Sequence, residues 1–163
     1  MTVDFADWYA ERRGRVLASL VVVCGSVDEA AEATDEAFAR ALADWDRVRA
    51  MGNPAGWVYR VALNHARRRA NRRSRESELL RRVDTTPEVD GPAGEAWSLV
   101  ADLSPRQREV VVLRHVGDLP EADIAEVLGI SRGTVASTLH DAHRRLRAAL
   151  VADDAPADDG ARS

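Results

Sequence analysis

Apolar residues recur at helical spacing along almost the whole chain, and no stretch keeps the strict alternation of a half-buried strand. Two runs, "LVVVC" ending at Cys24 and "EVVVL" ending at Leu113, read as strands in isolation. Both sit inside longer helical periodicity, so buried helix is the expectation. A first helix places Phe5, Trp8, Tyr9, Val16, Leu17, Leu20 and Val21 inward. After Gly25, "SVDE" offers Ser26 as N-cap and Glu29 as its partner three residues on, the pattern of a capping box. A second helix runs to about Trp45 with Val27, Ala30, Ala31, Thr34, Phe38, Leu42 and Trp45 on one face. "GNP" restarts the chain, with Asn53 as cap and Pro54 at the first helical position, where its missing N–H costs nothing. The third helix, "AGWVYRVALNHARRRANRRSR", begins apolar and ends strongly basic.

From about Ser74 the periodicity dissolves, and "TTPEVDGPAGEA" holds two Pro and two Gly with little apolar content. This composition reads as a linker. Beyond it come a short helix, "EAWSLVADL", and a longer one in "SPRQREVVVLRHV". The longer helix is opened by Ser104 as N-cap, Pro105 at the first position and Gln107 completing a second capping box. "GDLPEADIAEVLG" follows, closed by Gly129 as a left-handed C-cap. The tail "DDAPADDGARS" is acidic and small, as disordered chain is. The expected fold is all-α: two small helical domains, 1–75 and 96–151, joined by a flexible linker over 76–95 and followed by a disordered acidic tail over 152–163.

Within the second domain, Ile124, Ala125, Leu128, Gly129, Ile130 and Val135 fall at the spacing of a helix-turn-helix, with a small Ala where the helices cross and Gly at the turn. Ser131 caps the second helix, and Val135, Leu139, Ala142 and Leu146 make its buried stripe. That leaves Arg132, Gly133, Ala136, Ser137, His140 and Arg144 outward, where a recognition helix meets base edges and phosphates. An ordinary helical hairpin with a solvated outer face is the plainer alternative.

Charge sharpens this picture. The 163 residues carry 23 basic and 27 acidic side chains, a formal charge of -4, so nucleic-acid binding has to rest on local charge. Every basic residue other than His is Arg; many crowd between Arg60 and Arg82, while acids dominate Asp28 to Asp46 and the tail. Arg67, Arg68, Arg69, Arg72 and Arg73 form a run dense enough for phosphate, although a helix C-terminus also favours cations. Asp28, Glu32, Asp35 and Glu36 line a face opposite the core stripe, suited to a basic partner. Asp28 and Glu29 are equally explained by the helix dipole.

The single Cys24 excludes a disulfide framework and a thiolate metal cluster, and a reducing compartment follows. The N-terminus "MTVDFADWYAE" is acidic where a signal peptide is basic, and "LASLVVVC" is far short of the roughly 20 residues that span a bilayer. A cytoplasmic protein without a membrane partner is expected. His65, His115, His140 and His143 show no metal-ligand spacing and there is no phosphate-binding Gly loop. No enzyme activity, catalytic residue, metal, cofactor or small-molecule substrate is expected.

Three segments together resemble the extracytoplasmic-function sigma factors of bacterial RNA polymerase, in the sigma-70 superfamily. They are "DEAAEATDEAFARALADWDRV", "GNPAGWVYRVALNHARRR" and "LSPRQREVVVLRHVGDLPEADIAEVLGISRGTVASTLHDAHRRLR". The resemblance implies that the first domain is sigma region 2 and the second region 4. It implies an alternative sigma factor that binds core polymerase through the β′ clamp helices and β flap and directs initiation at promoter DNA, with an anti-sigma factor as a further partner. By position, Glu32, Asp35, Glu36 and Phe38 would dock on polymerase. Trp57, Tyr59, Arg60, Asn64, Arg67, Arg68 and Arg69 would read and melt the minus 10 element. Arg132, Gly133, Thr134, Ala136, Ser137, His140 and Arg144 would meet the minus 35 element. Trp57 has a competing role as a core aromatic.

One departure stands out in "GTVASTLHDAH": Ala136, Thr138 and Asp141 occupy positions that are commonly basic in this family. Losing cations and adding an anion weakens phosphate binding by the C-terminal module. Two further readings stay open: a free-standing helix-turn-helix regulator, against which the linker and the N-terminal module argue, and a degenerate sigma-like protein that works through protein contacts, which the weakened recognition helix favours.

Overall fold

A computed structural model describes residues 3–80 and 91–154. Among them the chain forms eight helices and no strand: α1 (Phe5–Cys24), α2 (Val27–Ala43), α3 (Trp45–Arg49), α4 (Pro54–Leu80), α5 (Gly91–Val100), α6 (Pro105–His115), α7 (Glu121–Leu128) and α8 (Arg132–Asp153). Both ambiguous Val-rich runs are helical, in α1 and α6.

The helix ends follow local chemistry. Gly25 ends α1 at φ 67°, its amide donating to the Val21 carbonyl at 2.8 Å. Ser26 accepts from the Glu29 amide, but the reciprocal arm of that box is absent because the Glu29 carboxylate pairs with Arg73 of α4. Asn53 accepts from the Gly56 amide at 2.8 Å beside Pro54. At α6 the box is complete, with Ser104 and Gln107 each bonding the other's backbone. Gly129, at φ 65°, turns the chain out of α7, and Ser131 caps α8.

Three boundaries differ from the sequence reading. The second helix stops at Ala43, where Asp44 leaves helical geometry, and Trp45 begins the short α3. On α2, Val27 and Leu42 are 51% and 57% exposed, and the inner face is Ala30, Ala33, Thr34, Ala37, Phe38 and Ala41. Small side chains let α2 lie close against α1 and α4, its two main neighbours. Secondly, α4 continues to Leu80 and α5 begins at Gly91, so residues 76–80 and 91–95 of the expected linker are helical. "ESELL" has lost apolar periodicity but keeps strong helix formers, and the Gly and Pro opening α5 sit in its first turn, where both are tolerated. Positions 81–90 of that linker lie outside the described residues. Thirdly, α8 reaches Asp153, two residues into the expected tail, whose positions 155–163 are likewise outside.

Helices α1 to α4 build one helical layer and α5 to α8 a second, and the buried residues of both join in one continuous cluster. An aromatic group anchors the first: Trp8 lies 5.5 Å from Phe38 and 4.8 Å from Trp45, and Tyr9 meets Phe38 edge-on at 5.0 Å. Contacts between layers run from α1 to α5 and α6, and from α4 to α7. The Trp97 indole rests on Gly25, and the Arg108 guanidinium stacks 4.6 Å from the indole centroid. Arg108 also donates to the carbonyls of Val100, Ala101 and Leu103, tying α6 to the end of α5. Burial pushes its pKa below the ordinary arginine value.

Candidate nucleic-acid interface

The α7–turn–α8 unit has the geometry that its spacing predicts. Ile124, Ala125, Val127 and Leu128 are buried on α7, and Val135, Leu139 and Ala142 on α8, with Leu146 partly covered. All seven expected contact residues of α8, Arg132, Gly133, Thr134, Ala136, Ser137, His140 and Arg144, are exposed. Two of them are partly committed to the helix itself. The Thr134 hydroxyl lies 2.8 Å from Ser131 Oγ, and the Ser137 hydroxyl donates to the Thr134 carbonyl at 3.1 Å. Asp141 approaches Arg144 to 3.6 Å, so it both adds an anion and competes for a remaining cation. His143 turns across to α6, where its Nε2 lies 2.9 Å from that of His115. Among the described residues no group of three or more side chains could hold a metal ion.

On α4 the expected residues divide. Arg68 is exposed beside Arg72, Arg75, Asn71 and His65 in a shallow basic groove against α2. Arg69 pairs with Glu32 at 3.0 Å. Trp57 is half-buried, with the Arg47 guanidinium 5.9 Å from its centroid, as a core aromatic at the helix start would be. Tyr59 is 2% exposed and shares a hydrogen bond with Ser19 at 3.2 Å, so it supports α4 from within. Burial raises its pKa. A free aromatic face at Tyr59 is thus corrected to a core role.

The three remaining α4 residues face the second layer. Arg60 donates to the Glu126 carbonyl near the end of α7. Arg67 donates through Nε and Nη2 to the two carboxylate oxygens of Glu109, both at 2.8 Å, and through Nη1 to Asn64 Oδ1 at 3.2 Å. Glu109 was absent from the sequence-derived site. Its signal was legible: it is the acid on a buried face that continues through Val112, Leu113 and Val116, and such an acid needs a partner.

Of the expected polymerase face, Glu32, Asp35 and Glu36 lie at the α2 surface, each in an ion pair. Glu32 meets Arg69 at 3.0 Å, Asp35 meets Arg13 at 3.1 Å, and Glu36 meets Arg40 at 2.6 Å. Phe38 is the correction here: at 2% exposure, between Trp8 and Tyr9, it fills the core, because the α2 surface turns away from its ring.

Known proteins match this architecture along its length. A family profile for sigma-70 region 2 covers residues 8–76 and one for sigma-70 region 4 covers residues 94–146. The chain is 31% identical over 157 residues to the RNA polymerase sigma-E factor of Streptomyces coelicolor, spanning 93% of this chain and 89% of that relative. It is 27% identical over 165 residues to the ECF RNA polymerase sigma factor SigW of Bacillus subtilis, spanning 90% and 88%. Among solved structures, the sigma factor RpoE in complex with the anti-sigma factor NepR from Bartonella quintana shares the fold at a TM-score of 0.83. The match covers 92% of this chain and 98% of that one at 22% identity. CnrH in complex with the cytosolic domain of CnrY aligns at a TM-score of 0.63 and 25% identity, over 91% and 88%. With both regions present in order, a free-standing helix-turn-helix regulator no longer accounts for the N-terminal half. The chain belongs to the sigma-70 family of RNA polymerase sigma factors, in its extracytoplasmic-function branch, as a non-enzymatic subunit that binds core polymerase and promoter DNA and directs transcription initiation.

Proposed function

We propose a division of labour in which the module ending with α4 docks on polymerase and handles the minus 10 element, while α5 to α8 meet the β flap and the minus 35 duplex. Arg60, Asn64, Arg67, Arg68 and Arg69, with Trp57 at the helix start, supply cations for freed backbone and an amide edge for an unstacked base. The exposed α8 face from Arg132 to Arg144 enters the major groove. Glu32, Asp35 and Glu36 face the β′ clamp helices, where their present ion pairs exchange for polymerase cations. Such exposed pairs are worth only about 0–1 kcal/mol each, so exchange is easy.

The observation that carries this reading is an exposed, capped recognition helix in the same chain as an arginine-rich α4 face. The setting is the cytoplasm, where polymerase works; among the described residues no helix is long and apolar enough to cross a membrane. An anti-sigma partner is proposed because two solved neighbours are complexes, one of the sigma factor RpoE with the anti-sigma factor NepR and one of CnrH with the cytosolic domain of CnrY. A second reading, in which the C-terminal module acts through protein contacts, draws support from the Asp141–Arg144 pair on the recognition face.

Reversing both Asp35 and Glu36 to Arg tests the docking face. Helicity should hold, because only surface pairs are lost, and retention on immobilised core polymerase should fall strongly. Normal retention of the double variant would reject the assignment. For the minus 10 face, Asn64→Ala should reduce permanganate-detected melting without altering the salt dependence of binding, since an amide carries no charge. Unchanged melting would reject Asn64 as a base contact.

A further inference from the structure

His115 closes α6 and His143 lies midway along α8, and the two imidazoles, 28 positions apart in the chain, meet across the helix pair. Their Nε2 atoms are 2.9 Å apart, with ring centroids separated by 5.2 Å and planes inclined by 52°. Neither ring is sealed in the core: His115 is exposed and His143 half-buried. On one flank His115 borders an apolar cleft lined by Val112, Val116, Leu146 and Leu150. Burial, then His143 and Arg114, lowers the His115 pKa, so its ring is neutral at pH 7 and keeps a lone pair to give.

An imidazole nitrogen binds a divalent transition ion at about 2.0–2.1 Å, so two such bonds end about 2.9 Å apart at a right angle and about 3.3 Å apart at the tetrahedral angle. The observed separation matches the right angle, which is the cis arrangement of tetragonal and octahedral ions such as Cu²⁺ and Ni²⁺. In the hydrogen bond between the rings, one Nε2–H donates to the other ring's lone pair. Moving that proton to Nδ1 through water frees both lone pairs with no net proton released. The rings then turn so that both lone pairs aim at one point beside the line joining the nitrogens.

We infer that His115 and His143 form a two-histidine clamp for a divalent transition ion of the copper and nickel type, which takes both Nε2 atoms in cis and completes its shell with water. Spacing along the sequence hides the site, because its ligands come from separate helices. The clamp is independent of how the two layers divide promoter contacts. Its effect is local: the ion ties the end of α6 to the helix that carries the exposed face from Arg132 to Arg144. Arg114 opposes a cation here, and there are two protein ligands, so binding is weaker than at a four-ligand structural zinc site.

The test uses the full chain, without an affinity tag, at neutral pH. Ni²⁺ is titrated calorimetrically into wild type, His115→Gln, His143→Gln and His140→Gln, with Mg²⁺, which prefers oxygen ligands, as the control ion. His140 is exposed on the same helix but outside the pair, and circular dichroism checks that helicity is kept in every variant. Wild type should take one Ni²⁺ per chain. Each pair variant should bind it about tenfold or more weakly, since the second ligand no longer acts at the high local concentration of a chelate. His140→Gln should match wild type, and Mg²⁺ should give no binding signal. At a hundredfold its Kd, Ni²⁺ should raise the wild-type Tm by about 5–10 °C and leave the pair variants unmoved. With Cu²⁺ as the probe, pulsed electron paramagnetic resonance should register two equatorial imidazoles in wild type and one in either pair variant, a signature that a folding defect does not produce. Equal Ni²⁺ affinity in wild type and both pair variants would overturn the clamp, as would a wild-type Cu²⁺ spectrum with a single imidazole. A loss in His140→Gln as large as in the pair variants would also reject the pairing, because the ligands would then lie along α8 alone.

Discussion

Replacing Gly25 by Ala probes the contact between the two layers with a perturbation of one methyl group. Gly25 sits at φ 67°, where an L side chain meets a penalty of about 1–2 kcal/mol. Its new Cβ would also lie 2.8–2.9 Å from three atoms of the Trp97 indole. The indole is rigid and carries Arg108 at 4.6 Å, so retreat disturbs the carbonyl contacts of that guanidinium as well. Overpacking of this kind costs about 1–3 kcal/mol. The sum, about 2–5 kcal/mol, corresponds to a fall in Tm on the order of 5–15 °C for a chain of this size. The strain belongs to Gly25 alone, whereas the clash needs Trp97, and a double-mutant cycle separates them. Trp97→Ala and the double variant are melted alongside Gly25→Ala by far-ultraviolet circular dichroism and in urea. The coupling should be about 1–3 kcal/mol, with Gly25→Ala much milder when Trp97 is absent. Additivity within about 0.5 kcal/mol would refute the contact between α1 and α5, since distant sites behave that way.

Burial pushes the Cys24 thiol up to about 11, against the opposing pull of Arg73 and Arg108, so its thiolate at pH 8 is about a hundredfold scarcer than for an ordinary thiol. Alkylation of the native chain should be slower by at least that factor than after unfolding, and equal rates would place Cys24 at the surface. Burial, then His143 and Arg114, lowers the His115 pKa below 6.5, so the folded state binds fewer protons than the unfolded one. Stability from this site is complete above pH 6.5 and is lost as pH falls through the lower folded value. His115→Gln should flatten that part of a urea-midpoint profile, and an unchanged slope would contradict it. On α8, Asp141→Arg replaces an anion by a cation and releases Arg144. It should tighten promoter duplex binding and steepen the log affinity against log salt slope by roughly 0.9 per added phosphate contact, for about one to two contacts. An unchanged slope would favour protein contacts for that module.

Much of the fold was legible because it rests on local rules. Asn53–Pro54, Ser104–Gln107 and Gly129–Ser131 set helix ends by capping chemistry that a sequence displays, and α8 presents the side that its apolar stripe implies. The inner face of α2 was harder to see, since Ala33, Ala37 and Ala41 compete with bulkier Val27 and Leu42 for the apolar stripe. Close approach of neighbouring helices, rather than hydrophobicity, decides which wins. The end of α4 was missed for a related reason: a helix lacking an apolar face has propensity but no period. At the site, periodicity placed the outward residues of α8 well and set Phe38 on the inner stripe of α2, whereas position in the family pattern put Tyr59 and Phe38 on contact surfaces that are interior here. The pairing of Arg67 with Glu109, 42 positions apart, follows from packing between layers, which no local pattern encodes.

This chain gives polymerase its promoter choice. That role is tested by transcription of fragmented genomic DNA by core RNA polymerase from the same bacterium, with and without the purified chain, followed by mapping of RNA 5′ ends. The chain should comigrate with core on gel filtration and create a discrete set of start sites, absent with core alone, that share two short upstream elements at fixed spacing. If the chain fails to associate with core and the start sites are the same in its presence and absence, it does not act as a sigma factor.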